Sequence, residues 1–539
     1  MSKCNWTLPA SIIVRFAIAS EYNISMHQLR LLNSSRVALI RILLLVLSVT
    51  SEETAVAGPA SAVRRSAPNI IFILIDDQRY DFLSFLDHPW IRTPHIDRLA
   101  RNSMYFKHAF VTTSLCSPSR ASILTGQYAH RHGVLSNDIE LPPGIATFPQ
   151  ELQRQGYRTS FIGKWHMGGN NPQPRPGFDE WVSFRGQGDY NNPRLNVNGR
   201  EVTRQGYTPD ILTEYAVAFI RANATANKPY CLYLSHKSVH EPFTPAARHA
   251  GVYQDLKIPR PPSFEDSARN YQGKPIWLKR QRTSWHGAER DFAINQYGDF
   301  DRFFQKYSEC MLAVDDSVGQ IAETLRQLGQ LEDTAIIYFS DNGYHMGEHG
   351  LIDKRVMYEE SIRVPCFVHF PRLIPAPSTN SDFILNIDLA PTILELAGMV
   401  APQSMQGVSF LPLLRNEKIP WREDFLYEYF VDPNTPQTPT IFGLRTQRHS
   451  YMTYQGVWDL FELYDMERDP AQRLNLLGNI QHGQDYGQFV RSVELQDPAI
   501  HPVVQELQRR MEARLQQTGG SLTPSWKLDA AGVGTTRQQ

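Results

Sequence analysis

The stretch Asn69-Ile-Ile-Phe-Ile-Leu-Ile75, followed directly by Asp76-Asp77, decides the fold class of this chain. A continuous apolar run rich in β-branched residues is typical of a central parallel strand that is buried on both faces. Open α/β sheets bind their ligands at the carboxyl ends of such strands, so the two acids are well placed for a functional site. Ordinary turn residues are the alternative interpretation of Asp76 and Asp77.

Further buried strands carry polar residues in the same position. The apolar runs 157–162, 230–235 and 335–339 end in Gly163-Lys164-Trp165-His166, His236-Lys237-Ser238-Val239-His240 and Ser340-Asp341-Asn342, and a fifth run covers 364–370. The carboxyl ends of parallel strands share one edge of a sheet, so we expect the polar segments to meet there. The pattern predicts an α/β fold, with a large domain whose mostly parallel central sheet is flanked by helices.

From about Trp421 the pattern changes. Short strand-like runs at 425–429, 442–445 and 462–464 predict a small C-terminal antiparallel sheet, and an amphipathic helix over 502–516 could cover it. The sequence thus divides into a leader region 1–57, a linker 58–67, a main domain 68–420, a C-terminal subdomain 421–517 and a disordered tail 518–539.

Composition and the N-terminus limit the cellular setting. The 539 residues carry a net charge of −1, which predicts no nucleic-acid partner and no attraction to a membrane surface. The leucine-rich run Val37–Val49 is too short for a stable membrane span. Basic residues before it and Ala55-Val56-Ala57 after it predict a signal peptide, hence a periplasmic, secreted or lysosome-like protein. Met26 as the true start, and an uncleaved anchor, are the alternatives. Cysteine is scarce, and Cys231, Cys310 and Cys366 are expected to be free and buried.

The stretch Leu115-Cys116-Ser117-Pro118-Ser119-Arg120-Ala121-Ser122-Ile123-Leu124-Thr125-Gly126 places a cysteine where a strand passes into a helix. Pro118 suits a first helical turn, and Gly126 can provide a left-handed stop. Cys116 would then lie at the positive end of the helix, where an anion is favoured, with Arg120 one turn along the same face. A small core hydrophobe is the alternative interpretation of Cys116.

Cys116-x-Pro118-x-Arg120, followed by Ala121-Ser-Ile-Leu-Thr-Gly126, resembles the signature of the type I sulfatases, and the resemblance extends from about Pro68 to Leu477. It implies an alkaline-phosphatase-like sulfatase domain. It also implies that a formylglycine-generating or equivalent maturation enzyme oxidises Cys116 to formylglycine (3-oxoalanine). The family's single Ca²⁺ or Mg²⁺ ion would take as ligands Asp76, Asp77, Asp341, Asn342 and the oxidised Cys116. Such hard oxygen donors suit either cation.

The same resemblance implies a mechanism for sulfate ester hydrolysis. One hydroxyl of the formylglycine hydrate attacks sulfur to give a covalent sulfate intermediate, and deprotonation of the other hydroxyl then expels sulfate. By analogy His166 is the base and His240 is the acid that protonates the leaving sugar oxygen. Lys164 and Lys354 would bind the sulfate oxygens, and Arg120 would hold the hydrate and the metal ligands.

Further segments resemble the N-acetylglucosamine-6-sulfatase branch, namely 186–199, 276–280, 341–345 and 352–355. They imply that the substrate is a sulfated carbohydrate, a 6-O-sulfated N-acetylglucosamine of glycosaminoglycan or mucin-type glycans. Candidate substrate contacts are His236, Asp189, Asn191, Asn192, Trp277 and His345.

Three alternatives stay open. The chain could be a sulfatase for another sulfated glycan or an aryl sulfate. It could be a phosphoester or phosphonate hydrolase of the same superfamily, although that chemistry predicts more ligands for a second metal. If Cys116 is never oxidised, it could be a non-catalytic glycan-binding protein.

Overall fold

The computed structural model describes residues 67–226, 228–289, 297–375, 377–455, 461–477 and 499–522, together with two short strands beyond them. The expected leader and nearly all of the linker lie outside the described residues, as does Cys4. Most of the expected tail lies outside them too. The described residues, all from Ala67 onward, belong to one compact unit. Among the described residues, no helix combines the length and the apolar composition needed to cross a bilayer.

The strands, in chain order, are β1 (Asn69–Ile75), β2 (Met104–Phe106), β3 (Ala109–Phe110), β4 (Arg158–Gly163), β5 (Glu180–Ser183), β6 (Arg194–Val197), β7 (Arg200–Thr203), β8 (Tyr230–Ser235), β9 (Thr334–Ser340), β10 (His345–Met346), β11 (Ile352–Asp353), β12 (Arg363–Val364), β13 (Cys366–His369), β14 (Ser378–Asn380), β15 (Ile384–Leu385), β16 (Asp424–Tyr429), β17 (Thr440–Thr446), β18 (His449–Gln455), β19 (Phe461–Asp465), β20 (Trp526–Leu528) and β21 (Gly534–Thr536).

The helices are α1 (Pro94–Ala100), α2 (Cys116–Thr125), α3 (Ala129–His132), α4 (Phe148–Arg154), α5 (Thr208–Asn223), α6 (Ala268–Tyr271), α7 (Ile276–Gln281), α8 (Phe300–Gln327), α9 (Glu359–Ile362), α10 (Leu389–Leu396), α11 (Leu411–Leu414) and α12 (His501–Thr518). Short 3-10 turns lie at Ser84–Leu86, Leu331–Asp333, Glu348–Gly350 and Asn386–Asp388.

A ten-stranded sheet organises the chain, in the order β14-β2-β13-β9-β1-β8-β4-β5-β6-β7. Its centre is parallel, because β1 pairs with β9 and β8, and β4 pairs with β8 and β5, all in the parallel sense. Antiparallel strands flank this centre on both sides. The predicted α/β class with a mostly parallel central sheet is confirmed.

The alternation of β1 explains its continuous apolar sequence. Ile70, Phe72 and Leu74 enter one buried cluster with residues of α2, α4 and α10, and the intervening isoleucines enter a second cluster with residues of α1, α5 and α8. A central strand covered by helices on both faces needs no polar position, which is why the sequence carries none there.

The C-terminal strands form the predicted small antiparallel sheet, in the order β16-β17-β18-β19. Leu507, Met511 and Leu515 of α12 are buried in the same cluster as residues of this sheet. Strand β16 also reaches the main domain: the Tyr427 hydroxyl lies 2.6 Å from Ser114 Oγ, and the Glu428 N–H donates to the Thr112 carbonyl at 2.9 Å. The small sheet therefore supports the segment that leads to Cys116.

Candidate active site

Four neighbouring strand ends form the site. Asp76-Asp77 follow β1, Lys164 to His166 follow β4, His236 to His240 follow β8, and Asp341-Asn342 follow β9. Because these strands are adjacent and parallel, their carboxyl ends lie at one edge of the sheet. Backbone hydrogen bonds join two of the turns, from the Asp76 N–H to the Ser238 carbonyl (3.0 Å) and from the Val239 N–H to the Asp76 carbonyl (2.6 Å).

Cys116 is the first residue of α2 and is fully buried. Its Sγ lies 3.6 Å from Asp76 Oδ1 and 3.8 Å from Lys164 Nζ. Burial raises the pKa of the Cys116 thiol to about 12, although Lys164 and Lys354 act in the opposite direction. The unmodified residue is therefore a neutral thiol and a weak nucleophile, even though it lies at a helix N-terminus.

Arg120 connects three strand ends through one guanidinium group. Its Nε and Nη2 both lie 2.8 Å from Asp341 Oδ2. Its Nη1 donates to the Lys164 carbonyl at 2.6 Å and to Ser235 Oγ at 2.7 Å. The planar fork of arginine satisfies this geometry, which the single ammonium of a lysine could not.

The acidic groups fit a hard divalent cation. Asp76, Asp77 and Cys116 each offer one ligand atom within 4.8 Å of the others. Asn342 donates its Nδ2 to Asp77 Oδ1 at 2.6 Å, whereas its buried Oδ1 has no hydrogen-bond partner in the part of the chain that the structure describes. Burial, together with the charges of Asp76 and Asp341, raises the pKa of Asp77 despite the nearby Lys354. A Ca²⁺ or Mg²⁺ ion would neutralise the clustered negative charge of these carboxylates and could take the Asn342 Oδ1 atom as a ligand.

Two buried lysines flank these acids. Lys164 Nζ contacts Asp76 Oδ2, and Lys354 Nζ lies 2.7 Å from Asp77 Oδ2 and 3.2 Å from Asp353 Oδ1. Burial opposes ionisation of Asp76, but the positive charges of Lys164, Arg120 and Lys354 outweigh it and hold its pKa well below the usual value. The site therefore keeps cations beside Cys116, as binding of an oxyanion requires.

Two histidines complete the group that the sequence predicted. His240 Nε2 lies 3.7 Å from Asp77 Oδ2, and its Nδ1 lies 2.6 Å from the Glu241 carbonyl, which assigns the Nδ1 proton. His166 has a left-handed backbone, its carbonyl accepts from Ser117 Oγ at 3.3 Å, and its Nδ1 has no hydrogen-bond partner among the described residues. Burial, and then the charge of Lys164, lowers the pKa of both rings well below the usual value, so both are neutral in the free site.

The candidate substrate contacts occupy several places. Asp189 lies on the wall of a cavity of about 220 Å³, which Arg185 and Arg194 also line. Asn191 pairs with Tyr207, and Asn192 Oδ1 accepts from the Gly206 N–H at 2.9 Å, so both shape the same loop.

The other three candidates lie against protein partners. His236 contacts Ser317 of α8 at 3.1 Å, Trp277 packs edge-on against Tyr454 with ring centroids 5.2 Å apart, and His345 Nδ1 lies 3.1 Å from the Asp353 carbonyl. A role for any of the six residues toward a sugar stays a prediction.

Two residues of the site were not selected from the sequence. Asp353, in a left-handed conformation, holds Lys354 and also contacts His286, which follows α7 in the chain. Lys237 is buried beside His240. Asp353 lies in the segment 352–355 and Lys237 in the segment 236–240, but only the three-dimensional contacts distinguish the two residues from solvated surface residues.

Two protein-family models together match most of the chain. The family described as Sulfatase matches residues 68–399, and the family described as N-sulphoglucosamine sulphohydrolase, C-terminal, matches residues 347–516. An N-acetylglucosamine-6-O-sulfatase of Bacteroides thetaiotaomicron is 32% identical over 485 residues, covering 79% of this chain and 86% of that protein. The human N-acetylglucosamine-6-sulfatase is 31% identical over 480 residues, covering 79% and 83%.

Solved structures of other proteins share the fold of this chain. One that is described as a complex with the substrate D-glucosamine-2-N,6-O-disulfate superimposes with a TM-score of 0.73 at 29% identity, covering 84% of this chain and 98% of that one. A phosphonate monoester hydrolase of Agrobacterium radiobacter shares the fold, with a TM-score of 0.66 at 20% identity over 88% of this chain and 100% of its own.

Proposed function

Because the chain belongs to the sulfatase family and is a hydrolase of sulfate esters, we propose that it removes sulfate from a 6-O-sulfated N-acetylglucosamine residue in glycosaminoglycan or mucin-type glycans. The observation that carries the proposal is the meeting of Lys164, Lys354 and His240 with Asp76 and Asp77 beside Cys116, at one edge of the sheet. This arrangement surrounds an oxyanion with cations beside the residue that would become the nucleophile.

The reaction needs two groups that the chain itself would hold. Oxidation of Cys116 to formylglycine by a maturation enzyme would supply a hydrated aldehyde with two hydroxyls, one to attack sulfur once it is deprotonated and the other to expel sulfate afterwards. A Ca²⁺ or Mg²⁺ ion held by Asp76, Asp77, Asp341 and Asn342 would supply Lewis-acid polarisation of the sulfuryl oxygens. Arg120 fixes Asp341 and the Lys164 carbonyl, so it keeps this geometry before substrate arrives.

Lys164 and Lys354 bind the sulfate oxygens, and the two histidines move protons. His166 is neutral, which suits a base that takes a proton from residue 116. His240 is also neutral in the free site, so its role as an acid requires the arriving sulfate, whose negative charge raises the pKa of the ring. The Nδ1 proton is held by the Glu241 carbonyl, which leaves Nε2 to carry the transferred proton.

The substrate assignment rests on the relatives. Two of them are described as N-acetylglucosamine-6-sulfatases, and a similar structure holds a glucosamine with a 6-O-sulfate. Asp189, Asn191, Asn192, Trp277, His236 and His345 stay candidates for sugar contacts. The leader sequence supports export to the periplasm, the exterior or a lysosome-like compartment.

The first experiment compares Cys116→Ala with Cys231→Ala, since both cysteines are free and buried but only Cys116 lies in the site. We expect Cys116→Ala to fold and to lose all measurable turnover of sulfated sugars, whereas Cys231→Ala keeps activity. Mass analysis of the peptide across residue 116 should show a carbonyl in place of the thiol. Turnover by Cys116→Ala at the wild-type rate, or an unmodified cysteine in active protein, would contradict the nucleophile assignment.

A panel of defined sulfated sugars tests the substrate. We expect 6-O-sulfated N-acetylglucosamine to have the highest kcat/KM, ahead of other sulfated monosaccharides and aryl sulfates. A phosphonate or phosphate ester that turned over faster than every sulfate would favour the phosphoesterase alternative instead.

A further inference from the structure

Lys237 is a buried cation without a carboxylate partner. Lys237 comes just after β8 in the chain and is 1% exposed. No carboxylate of the described residues forms an ion pair with its Nζ; the lysines of the site that do are Lys164 and Lys354. The contacts of Nζ are the Glu241 carbonyl, at 3.4 Å, and the face of the Tyr190 ring, at 4.6 Å from its centroid. Buried ammonium groups are usually paired, whereas the negative charges of Asp76 and Asp189 act on Lys237 only from beyond ion-pair distance, so no described carboxylate neutralises it directly.

The position of Lys237 connects it to the reaction site. It lies three residues before His240 in the turn that is hydrogen-bonded to Asp76 through Ser238 and Val239. Tyr190, which covers the Lys237 ammonium, also donates its hydroxyl to the His240 carbonyl at 2.9 Å. Burial lowers the pKa of Lys237 to about 8, and electrostatic repulsion from the Lys164 ammonium group contributes to this shift.

Lys237 is nonetheless separate from Lys164 and Lys354, the two lysines proposed to bind the sulfate that is cleaved. Lys164 and Lys354 are paired with Asp76 and Asp77 beside Cys116, whereas the contacts of Lys237 lie toward Tyr190 and the loop that carries Asp189. Asp189 lines the cavity of about 220 Å³ at the end of β5, on the side of the site away from Asp341. The near-complete burial of Lys237 is no obstacle to contact, since Cys116 and Lys164 are 0% exposed and must also meet substrate.

We infer that Lys237 is a substrate-binding residue that receives a second anionic group of the sugar, distinct from the sulfate that is cleaved. The inference rests on the proposed function and deepens it: the preferred substrate carries two negative charges. A sulfate on the same ring and the carboxylate of a neighbouring uronic acid are the two sources of such a group. Either would form a charge-assisted hydrogen bond with Nζ and complete its compensation.

The wild-type enzyme gives the first test, without any substitution. For each sulfate that the enzyme cleaves, kcat/KM is measured on the sugar with one negative charge, on the same sugar with a second sulfate, and on the disaccharide with an adjacent uronic acid. We expect roughly tenfold or more preference for one of the doubly charged substrates, since a hydrogen bond between charged groups contributes about that factor. Equal values for all three substrates would overturn the inference.

This comparison is independent of the exact sugar. If 6-O-sulfated N-acetylglucosamine is not cleaved but another sulfate is, the proposed substrate is wrong, and the same ratio measured on that other sulfate still decides the role of Lys237.

A substitution gives the second test. Lys237→Met keeps most of the length and apolar packing of the side chain and removes the charge. We expect it to lose most of the preference for the doubly charged substrate, mainly through KM, and to change turnover of the singly charged substrate much less. Lys279→Met is the matched control, because Lys279 also lies over a tyrosine ring, at 5.6 Å from the centroid of Tyr271, but is half exposed and paired with Asp266 at 2.9 Å. Equal losses on singly and doubly charged substrates in Lys237→Met would assign Lys237 a structural role and overturn the inference.

Discussion

At the scale of single residues, the site depends on side chains whose charge is fixed by burial and by a few contacts. Arg120 holds Asp341 and the turn of Lys164 together, and the thiol of Cys116 stays neutral among charged neighbours. Helix α2 supplies both residues, so its position decides where the side chain of residue 116 points. The residues that hold α2 are thus open to tests that do not touch the reacting groups.

His132 is such a residue. Its ring lies under α2, with Nε2 3.0 Å from Ser122 Oγ, while Nδ1 accepts the Val134 N–H at 3.1 Å. Nε2 therefore carries the proton in a neutral ring. Burial, and then the nearby His130, lowers the pKa of His132 to about 3.

This lowered pKa makes stability depend on pH with a definite sign. Between the folded value of about 3 and the unfolded value near 6.5, the unfolded chain binds one more proton, so stability falls as the pH falls below about 6.5. From pH 7 to pH 5 we expect His132 to account for a loss of about 2 kcal/mol in the free energy of unfolding. Thermal unfolding of the wild type and His132→Gln at both pH values measures this loss. The Tm of the variant should fall less on acidification, and an equal fall in both proteins would contradict the assignment.

At the scale of secondary structure, the close approach of β4 and β8 positions Lys164 and the turn that carries His240. Gly163, the last residue of β4, has a φ of +119°, and a Cβ there would lie 1.8 Å from the Ser235 carbonyl oxygen. A residue with a side chain would push the two strand ends apart. Lys164 and His236 follow directly on either side of this contact.

Gly163→Ala should therefore damage both stability and activity. We expect a loss of about 2–5 kcal/mol, from the unfavourable backbone angle and the overlap with Ser235, and a large fall in kcat/KM because Lys164 is displaced. The control is Gly144→Ala, where φ is +87° but no described residue lies within 4 Å of the added Cβ, so only the backbone strain applies. Thermal unfolding and turnover of the two variants separate the effects. Similar results for both glycines would show that the contact between β4 and β8 is unimportant.

Elements of this kind differ in how far the sequence predicts them. The apolar runs of β1, β8 and β9 are predicted within a residue at each end, because burial on both faces leaves a continuous pattern. The run 364–370 is in fact two strands: β12 pairs with β3 and β13 pairs with β9, and Pro365, which lacks an N–H, lies at the break. Strands β5 to β7 were not predicted because they are short and partly exposed, so no clear alternation marks them.

The site shows the same limit. Strand ends identify Asp76, Asp77, Asp341 and Asn342 as residues of one edge, but the resemblance to a family was needed to give Lys354 and His240 roles. The contact of Lys354 with Asp77 joins residues 277 positions apart, and no local pattern encodes it. Asp353 and Lys237 were missed for that reason.

At the scale of the whole molecule, a bound cation would join segments that are far apart in the chain. Its expected ligands come from the ends of β1 and β9 and from the start of α2. In the absence of the ion, the buried carboxylates Asp76, Asp77 and Asp341 repel one another. A ligand that binds only the folded state stabilises it in proportion to the logarithm of its concentration.

Metal removal should therefore lower both activity and thermal stability. We expect chelator-treated protein to be inactive and to unfold at a lower Tm. Adding Ca²⁺ or Mg²⁺ at about a hundredfold over its Kd should raise the free energy of unfolding by about 2.7 kcal/mol. Asn342→Ala removes the free Oδ1 donor and should reduce the cation-dependent shift in Tm. Full activity and an unchanged Tm after complete metal removal would contradict the site.

The hydrogen bonds from β16 to Thr112 and Ser114 have a consequence for the timing of biosynthesis. Residue 116 leaves the ribosome about 300 residues before β16, the strand that supports the segment leading to it, which at 5–20 residues per second is an interval of about 15–60 s. In the folded protein the Cys116 side chain is fully buried, so we expect a maturation enzyme to have no access to the thiol. We expect oxidation of the cysteine to be confined to this interval, so that a chain which folds first stays permanently unconverted, and slower translation downstream of residue 116 raises the converted fraction.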